Sequence, residues 1–252
     1  MITDAEKQRF SEICRETVNA VHERSGIGTY KEKILHLVLK KFFCDDENCH
    51  EVKNGRFIAD ASTETQIFEI QTRGLYPLKK KLISYLADTD KKITVVCPLI
   101  SKKRLVWVDP ENGEMSEPKK VSVPRPKNTL LRELMWIGEL LDFSRVELRA
   151  VYVDADEYRL LDGRGIDKKI KATKIDKIPK ELIDIVTLDS REAFAEFFLP
   201  PKLPSEFRAK DFELATGLRK KGVSAGLRAL QSLGIIEREK QSEHKVVYRI
   251  II

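Results

Sequence analysis

Apolar positions along the chain recur in two rhythms, and their alternation predicts a mixed α/β architecture. Phe10, Ile13, Cys14, Thr17, Val18 and Val21 return at steps of three and four, which predicts an amphipathic helix over 3–24. Thr3 and Glu6 have the spacing of a reciprocal N-terminal cap. Gly26 and Gly28 break the pattern. Ile34, Leu35, Val38, Leu39, Phe42 and Phe43 then predict a second helix over about 30–43, with Glu32 in its first turn. The polar stretch 44–55 reads as a loop. Two short strands follow, 56–61 and 66–71, separated by a turn at 62–65. A helix is predicted over about 75–87. The unbroken apolar run 93–99 reads as a buried strand, and 104–108 as another, closed by Asp109-Pro110 and Asn112-Gly113.

The second half is less regular. Three prolines within 117–128 suggest a connection across the surface. A helix is expected over 130–141, strands over 146–153 and 158–161, and two short helices within 179–198. Leu199-Pro200-Pro201-Lys202-Leu203-Pro204 reads as a linker. Beyond it come a short helix over 210–216, a turn at Gly217-Leu218, and a longer helix over about 222–233 ended by Gly234. Strands at 235–240 and 246–251 flank a hairpin at 241–245. The expected organisation is therefore three segments, 1–114, 115–198 and 203–252.

Composition sharpens this only a little. The chain of 252 residues is 42% hydrophobic, enough for a core, and 34% charged, above the usual quarter. A formal net charge of +6 suits an anionic partner such as nucleic acid. The polar start and the absence of any run of roughly 18 apolar residues predict no secretory signal, no membrane partner and a cytoplasmic location. Four cysteines in a chain this long do not make a disulfide framework, so reduced thiols are expected.

Helix, tight turn, helix and β-hairpin is the plan of a helix-turn-helix with a wing. The stretch AKDFELATGLRKKGVSAGLRALQSLGIIEREK resembles the winged-helix family along its whole length. That resemblance implies DNA as partner. Lys220, Lys221, Ser224 and Arg228 would lie on the exposed face of the second helix, and Arg238, Lys240, His244 and Lys245 on the wing, facing phosphates.

The first half carries a second pattern. Asp60 ends one predicted strand; Glu69 and Gln71, two apart in the next, share a sheet face. If the strands form a hairpin, Asp60 converges with Glu69. Two carboxylates on one face repel unless a cation joins them, and a hard divalent ion takes such oxygen ligands. Read as ordinary surface, Asp60 merely ends a strand and Glu69 is a solvated sheet residue.

Over about residues 28–100 this arrangement resembles the PD-(D/E)XK nuclease superfamily, with its αβββαβ core. The resemblance implies a restriction-endonuclease-like core, an α+β extension and the C-terminal winged helix. It assigns Asp60 and Glu69 to Mg²⁺ (or Mn²⁺), and gives Glu32 and Gln71 catalytic roles through water. Ala59 stands where the family's name has proline. Gln71 stands where lysine is usual, and an amide can neither carry charge nor act as a base; Arg73, just beyond, is the candidate for the missing charge. Lys79 and Lys80 on the next helix are candidate DNA contacts. The expected function is a metal-dependent DNA endonuclease, with a homodimer as one arrangement that cuts both strands. The alternatives are a non-catalytic DNA-binding protein or regulator on the same scaffold, and a protein-interaction module.

Other features point elsewhere only faintly. Cys44, Cys49 and His50 lack the second ligand pair of a structural zinc site. Asp162-Gly163-Arg164-Gly165 lacks the Gly-Lys-Ser/Thr of a phosphate loop. Asp154, Asp156 and Glu157 read as solvated charges at a strand end, and Trp107 and Trp136 as core.

Overall fold

The computed structural model describes residues 2–24, 33–164, 170–242 and 245–252, with the side chains of 21–24, 240–242 and 245 excepted. It is a mixed α/β protein with seven α-helices among the described residues. Its larger sheet has strand order β1-β2-β3-β4-β6-β7, with β5 pairing β4 off that path. In chain order the elements are α1 (Asp4–Arg24), α2 (Ile34–Phe43), β1 (His50–Asn54), β2 (Phe57–Ser62), β3 (Gln66–Ile70), α3 (Leu78–Asp88), β4 (Lys92–Val108), β5 (Lys119–Val121), α4 (Pro126–Leu134), β6 (Val146–Leu160), β7 (Thr173–Leu188), α5 (Arg191–Phe198), β8 (Glu206–Phe207), α6 (Ala209–Thr216), α7 (Lys221–Ser232), β9 (Ile236–Ser242) and β10 (Lys245–Ile250). The chain divides into two compact units, one of residues 1–50, 98–123 and 151–186, the other of 51–97, 124–150 and 187–252.

In the first unit, α1 begins with the cap its sequence announces: Thr3 N donates to Glu6 Oε2 at 2.7 Å and Glu6 N to Thr3 Oγ1 at 3.2 Å. Phe10 of α1 meets Phe42 of α2 edge-on, centroids 5.5 Å apart. Cys14 of this unit and Cys97 of the other are both buried, and burial pushes each thiol up to about 12. The acids of β6 are not solvated turn residues. Asp156 and Glu157 are each 2% exposed and lie within the strand. Arg104 of β4 holds Asp156 with two bonds of 2.7 and 3.0 Å, while Lys103, Lys174 and Arg159 surround Glu157. Burial works to raise the Glu157 pKa, but those cations outweigh it and leave it at about 2. A buried charge persists here because it is paired on several sides.

The region expected to hold two short helices, 179–198, instead holds the end of β7 and then α5. Pro179 lies within β7, which ends the strand order of the sheet, where a missing N–H is tolerated. The runs 93–99 and 104–108 are parts of one strand, β4, and 146–153 with 158–161 are parts of β6. The expected loop 44–55 contains a 3-10 turn and the strand β1.

In the second unit, β2 runs antiparallel to β3, with Ala61 opposite Phe68 and Ser62 opposite Ile67. β3 then runs parallel to β4, from Gln66 opposite Lys92 to Ile70 opposite Val96, so α3 is the crossover that parallel pairing demands. α3 buries Leu78, Leu82 and Tyr85. At the C-terminal end of the chain, β8, β10 and β9 form a three-stranded antiparallel sheet. Phe207 stacks between Phe212 of α6 and Tyr248 of β10. Gly217 (φ 72°) supplies the left-handed residue that ends α6. Arg125 Nη1 and Asn128 Nδ2, from the start of α4, both donate to Thr216 O at 2.9 Å and so satisfy a carbonyl at the end of α6.

Among the described residues no helix is long and apolar enough to cross a membrane.

Candidate functional site

The register of β2 and β3, continued one residue past Ala61 and Phe68, brings Asp60 opposite Glu69. The ladder changes character there. Asp60 Oδ2 accepts from Ile70 N at 2.6 Å, so a side-chain carboxylate takes the place of a backbone acceptor. The alternation that put Glu69 on a face opposite Phe68 and Ile70 holds, but that face is not open to water. Glu69 is fully buried, with 0% exposure, and Ile67, Phe68 and Ile70 around it are buried too. The solvated-surface reading of Glu69 is therefore overturned.

Helix α3 supplies what makes this burial tolerable. Lys81 Nζ donates to both carboxylate oxygens of Glu69 at 2.9 Å and to Ile58 O at 2.8 Å. An ammonium has three N–H groups, and these three acceptors use them all. One turn further on, Tyr85 Oη donates to Glu69 Oε1 at 2.8 Å, its ring edge-on to Phe57. Gln71 Nε2 approaches Glu69 Oε2 at 3.5 Å, the long limit of a hydrogen bond. Burial first, and the like charge of Asp60 second, push the Glu69 pKa up to about 7 against the pull of Lys81. Burial, and then the Glu69 charge, push the Tyr85 phenol well above its ordinary range.

The structure thus brings Asp60, Glu69 and Gln71 together and adds Lys81 and Tyr85, which sequence reading did not place there. The signal for them was present in retrospect. Lys81 and Tyr85 are four apart, on the side of α3 that carries Leu78 and Leu82, so a lysine borders an apolar stripe. Glu32 lies outside the described residues. Arg73 is exposed in the loop after β3, and Lys79 and Lys80 are exposed on the first turn of α3. Among the described residues no group of three or more His, Cys, Asp or Glu side chains could hold a metal ion. Asp60 and Glu69 form a pair of carboxylates, of which Glu69 has both oxygens engaged by Lys81.

The loop after Gln71 leads to a second feature. Leu75 N donates to Glu133 Oε2 at 3.1 Å, which ties this loop to the end of α4. Tyr76 stacks edge-on against Trp136, centroids 5.0 Å apart. Trp136, expected in the core, is 39% exposed, and Tyr76 61%. Trp136 borders a cleft of about 820 Å³ whose other wall is the start of α7, where Lys220, Lys221, Ser224 and Arg228 all point into it. Trp107 is half-buried rather than core. Lys240 and Lys245 belong to β9 and β10, but their side chains, like His244, lie outside the described residues.

Fold and site together define a mixed α/β protein with a buried acid–lysine cluster beside a basic cleft. The chain belongs to the family described as a domain of unknown function (DUF8091), whose pattern matches residues 33–189. It is also similar to a Treponema pallidum (strain Nichols) protein described as an uncharacterized protein, at 26% identity over 194 residues, 76% of each chain. No solved structure matches it.

Proposed function

We propose that this protein is a divalent-metal-dependent DNA endonuclease of the PD-(D/E)XK type, with a C-terminal winged helix that contacts nucleic acid. One observation carries the reading: Asp60 and Glu69, from adjacent antiparallel strands, converge where a lysine also converges. The element order supports it, since α2, β1, β2, β3, α3 and β4 follow the αβββαβ sequence. The succession α6, α7, β9, β10 with an antiparallel sheet supports the winged-helix part.

In this reading Asp60 and Glu69 hold Mg²⁺ or Mn²⁺. The cation, when bound, supplies an acidified water and stabilises charge developing on a phosphodiester. Lys81, bonded to both Glu69 oxygens, pulls against the burial that favours the neutral acid and so promotes the anionic form that a ligand requires. It restores from α3 the charge that Gln71 lacks. The Gln71 amide, at the edge of the pair, orients water by hydrogen bonding. Arg73, Lys79 and Lys80 stand exposed near the same strand end to receive phosphates.

The test is cleavage of supercoiled and linear DNA with Mg²⁺ or Mn²⁺. Cleavage is expected in the wild type and its loss in Asp60→Ala, Glu69→Ala and Lys81→Ala, each checked for folding. A second reading, a non-catalytic DNA-binding protein on the same scaffold, is favoured by the fact that both Glu69 oxygens are already engaged by Lys81. DNA affinity without cleavage under either metal would select it.

A further inference from the structure

We propose that the cleft between α4 and the start of α7 binds single-stranded DNA, with Trp136 as its stacking platform. This deepens the nucleic-acid part of the reading above and rests on it. A winged helix conventionally lays its second helix in the major groove of a duplex. Here the exposed face of α7 forms one wall of a cleft. Lys221, Ser224 and Arg228 line the cleft, and Arg132 and Trp136 form its opposite wall.

Helices α4 and α7 are held close where Gly226 lacks a side chain: a Cβ there would lie 3.3 Å from Leu131 Cδ2. A volume of about 820 Å³ falls within the range of small-ligand clefts. It suits a nucleotide or two of an unpaired strand and not a duplex.

The lining has the chemistry of such a strand. Arg132, Arg219, Lys220, Lys221 and Arg228 bring five cations to the cleft, and none has an ion-pair partner among the described residues. Its one acid, Glu133, is engaged by Leu75 N. Trp136 offers an exposed ring buttressed edge-on by Tyr76, as an aromatic platform for an unstacked base requires. Lys220 adds an independent sign. Its backbone (φ 44°, ψ −115°) is one that glycine adopts freely and lysine only under strain. A charged side chain is held there at a conformational cost.

The test is fluorescence anisotropy in EDTA with a labelled thymidine oligomer, a blunt duplex and a uridine oligomer. The thymidine oligomer should bind about ten-fold more tightly than the duplex. Trp136→Ala should weaken it about ten-fold, and Trp136→Phe should restore most of the loss. Lys220→Gly should weaken binding while leaving the melting temperature equal or higher, which separates the effect from misfolding. Equal or tighter binding of the duplex, or no effect of Trp136→Ala, overturns the proposal. Tighter binding of the uridine oligomer overturns its assignment to DNA. Because EDTA removes metal, failure of the nuclease reading leaves this binding intact. Failure here leaves metal-dependent cleavage of duplex DNA intact.

Discussion

Glu69 is the residue on which site and stability meet. Its folded-state pKa of about 7 lies above the ordinary 4.5, so the folded chain holds a proton that the unfolded chain has lost between those values. Stability from this group therefore falls as pH rises through that window, by at most about 3 kcal/mol for a shift of this size. Glu69→Gln should raise the melting temperature at pH 8, and the gain should vanish near pH 4.5, where both side chains are neutral. Thermal melts across that range check the sign. Lys81→Met should act the other way. It leaves a buried charge without its counter-ion and should destabilise the protein by about 3 kcal/mol at pH 8. Less should be lost at pH 5.5, where Glu69 is protonated, and chemical denaturation at the two pH values measures the difference.

At the scale of elements, glycines decide how α7 seats. A glycine inside a helix normally gains about 1 kcal/mol on replacement by alanine. At Gly226 the added Cβ would lie 3.2 Å from Phe212, 3.3 Å from Leu131 and 3.3 Å from Leu218, a wall on three sides. Gly226→Ala should therefore destabilise by about 1–3 kcal/mol. At Gly222 the nearest contact is one flexible leucine methyl at 3.2 Å, so Gly222→Ala should be neutral or stabilising. Paired melts of the two variants test the contrast.

Much of this level was legible in the sequence: α1 with its cap, α3, the β2–β3 alternation and the order of α6, α7, β9 and β10. The misreadings share a cause. β4 was expected as two strands because Ser101-Lys102-Lys103 is polar. Its backbone is satisfied there by tertiary partners, with Lys102 N donating to Asp154 Oδ1 at 2.9 Å and β5 pairing with 103–105. β7 carries its leucines and isoleucines at spacings that suit a helix, and only the neighbouring strand decides otherwise. Asp60 and Glu69 could be brought together by local alternation. Lys81 could not, because it reaches Glu69 from a different element.

For the molecule as a whole, the C-terminal stretch is not merely appended after a proline-rich connection. Within its compact unit α7 packs on α4, and Arg125 and Asn128 cap α6. Limited proteolysis should not release 203–252 as a stable fragment. Ending the chain after Lys202 should expose Leu131 and lower the melting temperature, as calorimetry would show. The net charge of +6 gives a general attraction to DNA, with a salt dependence set by the phosphates neutralised. Removing Arg219 and Lys221 together should shallow that dependence by about 0.7 per lost contact on a single strand.

The tyrosine–glutamate–lysine cluster also leaves a mark on heat. Near pH 6 the folded chain carries the Glu69 proton and the unfolded chain does not, so unfolding releases it to the buffer. The enthalpy recorded for the same transition then changes with the ionisation heat of whichever buffer accepts that proton. Scans in phosphate and in a buffer of large ionisation heat count the proton directly, and in Glu69→Gln the two should agree more closely.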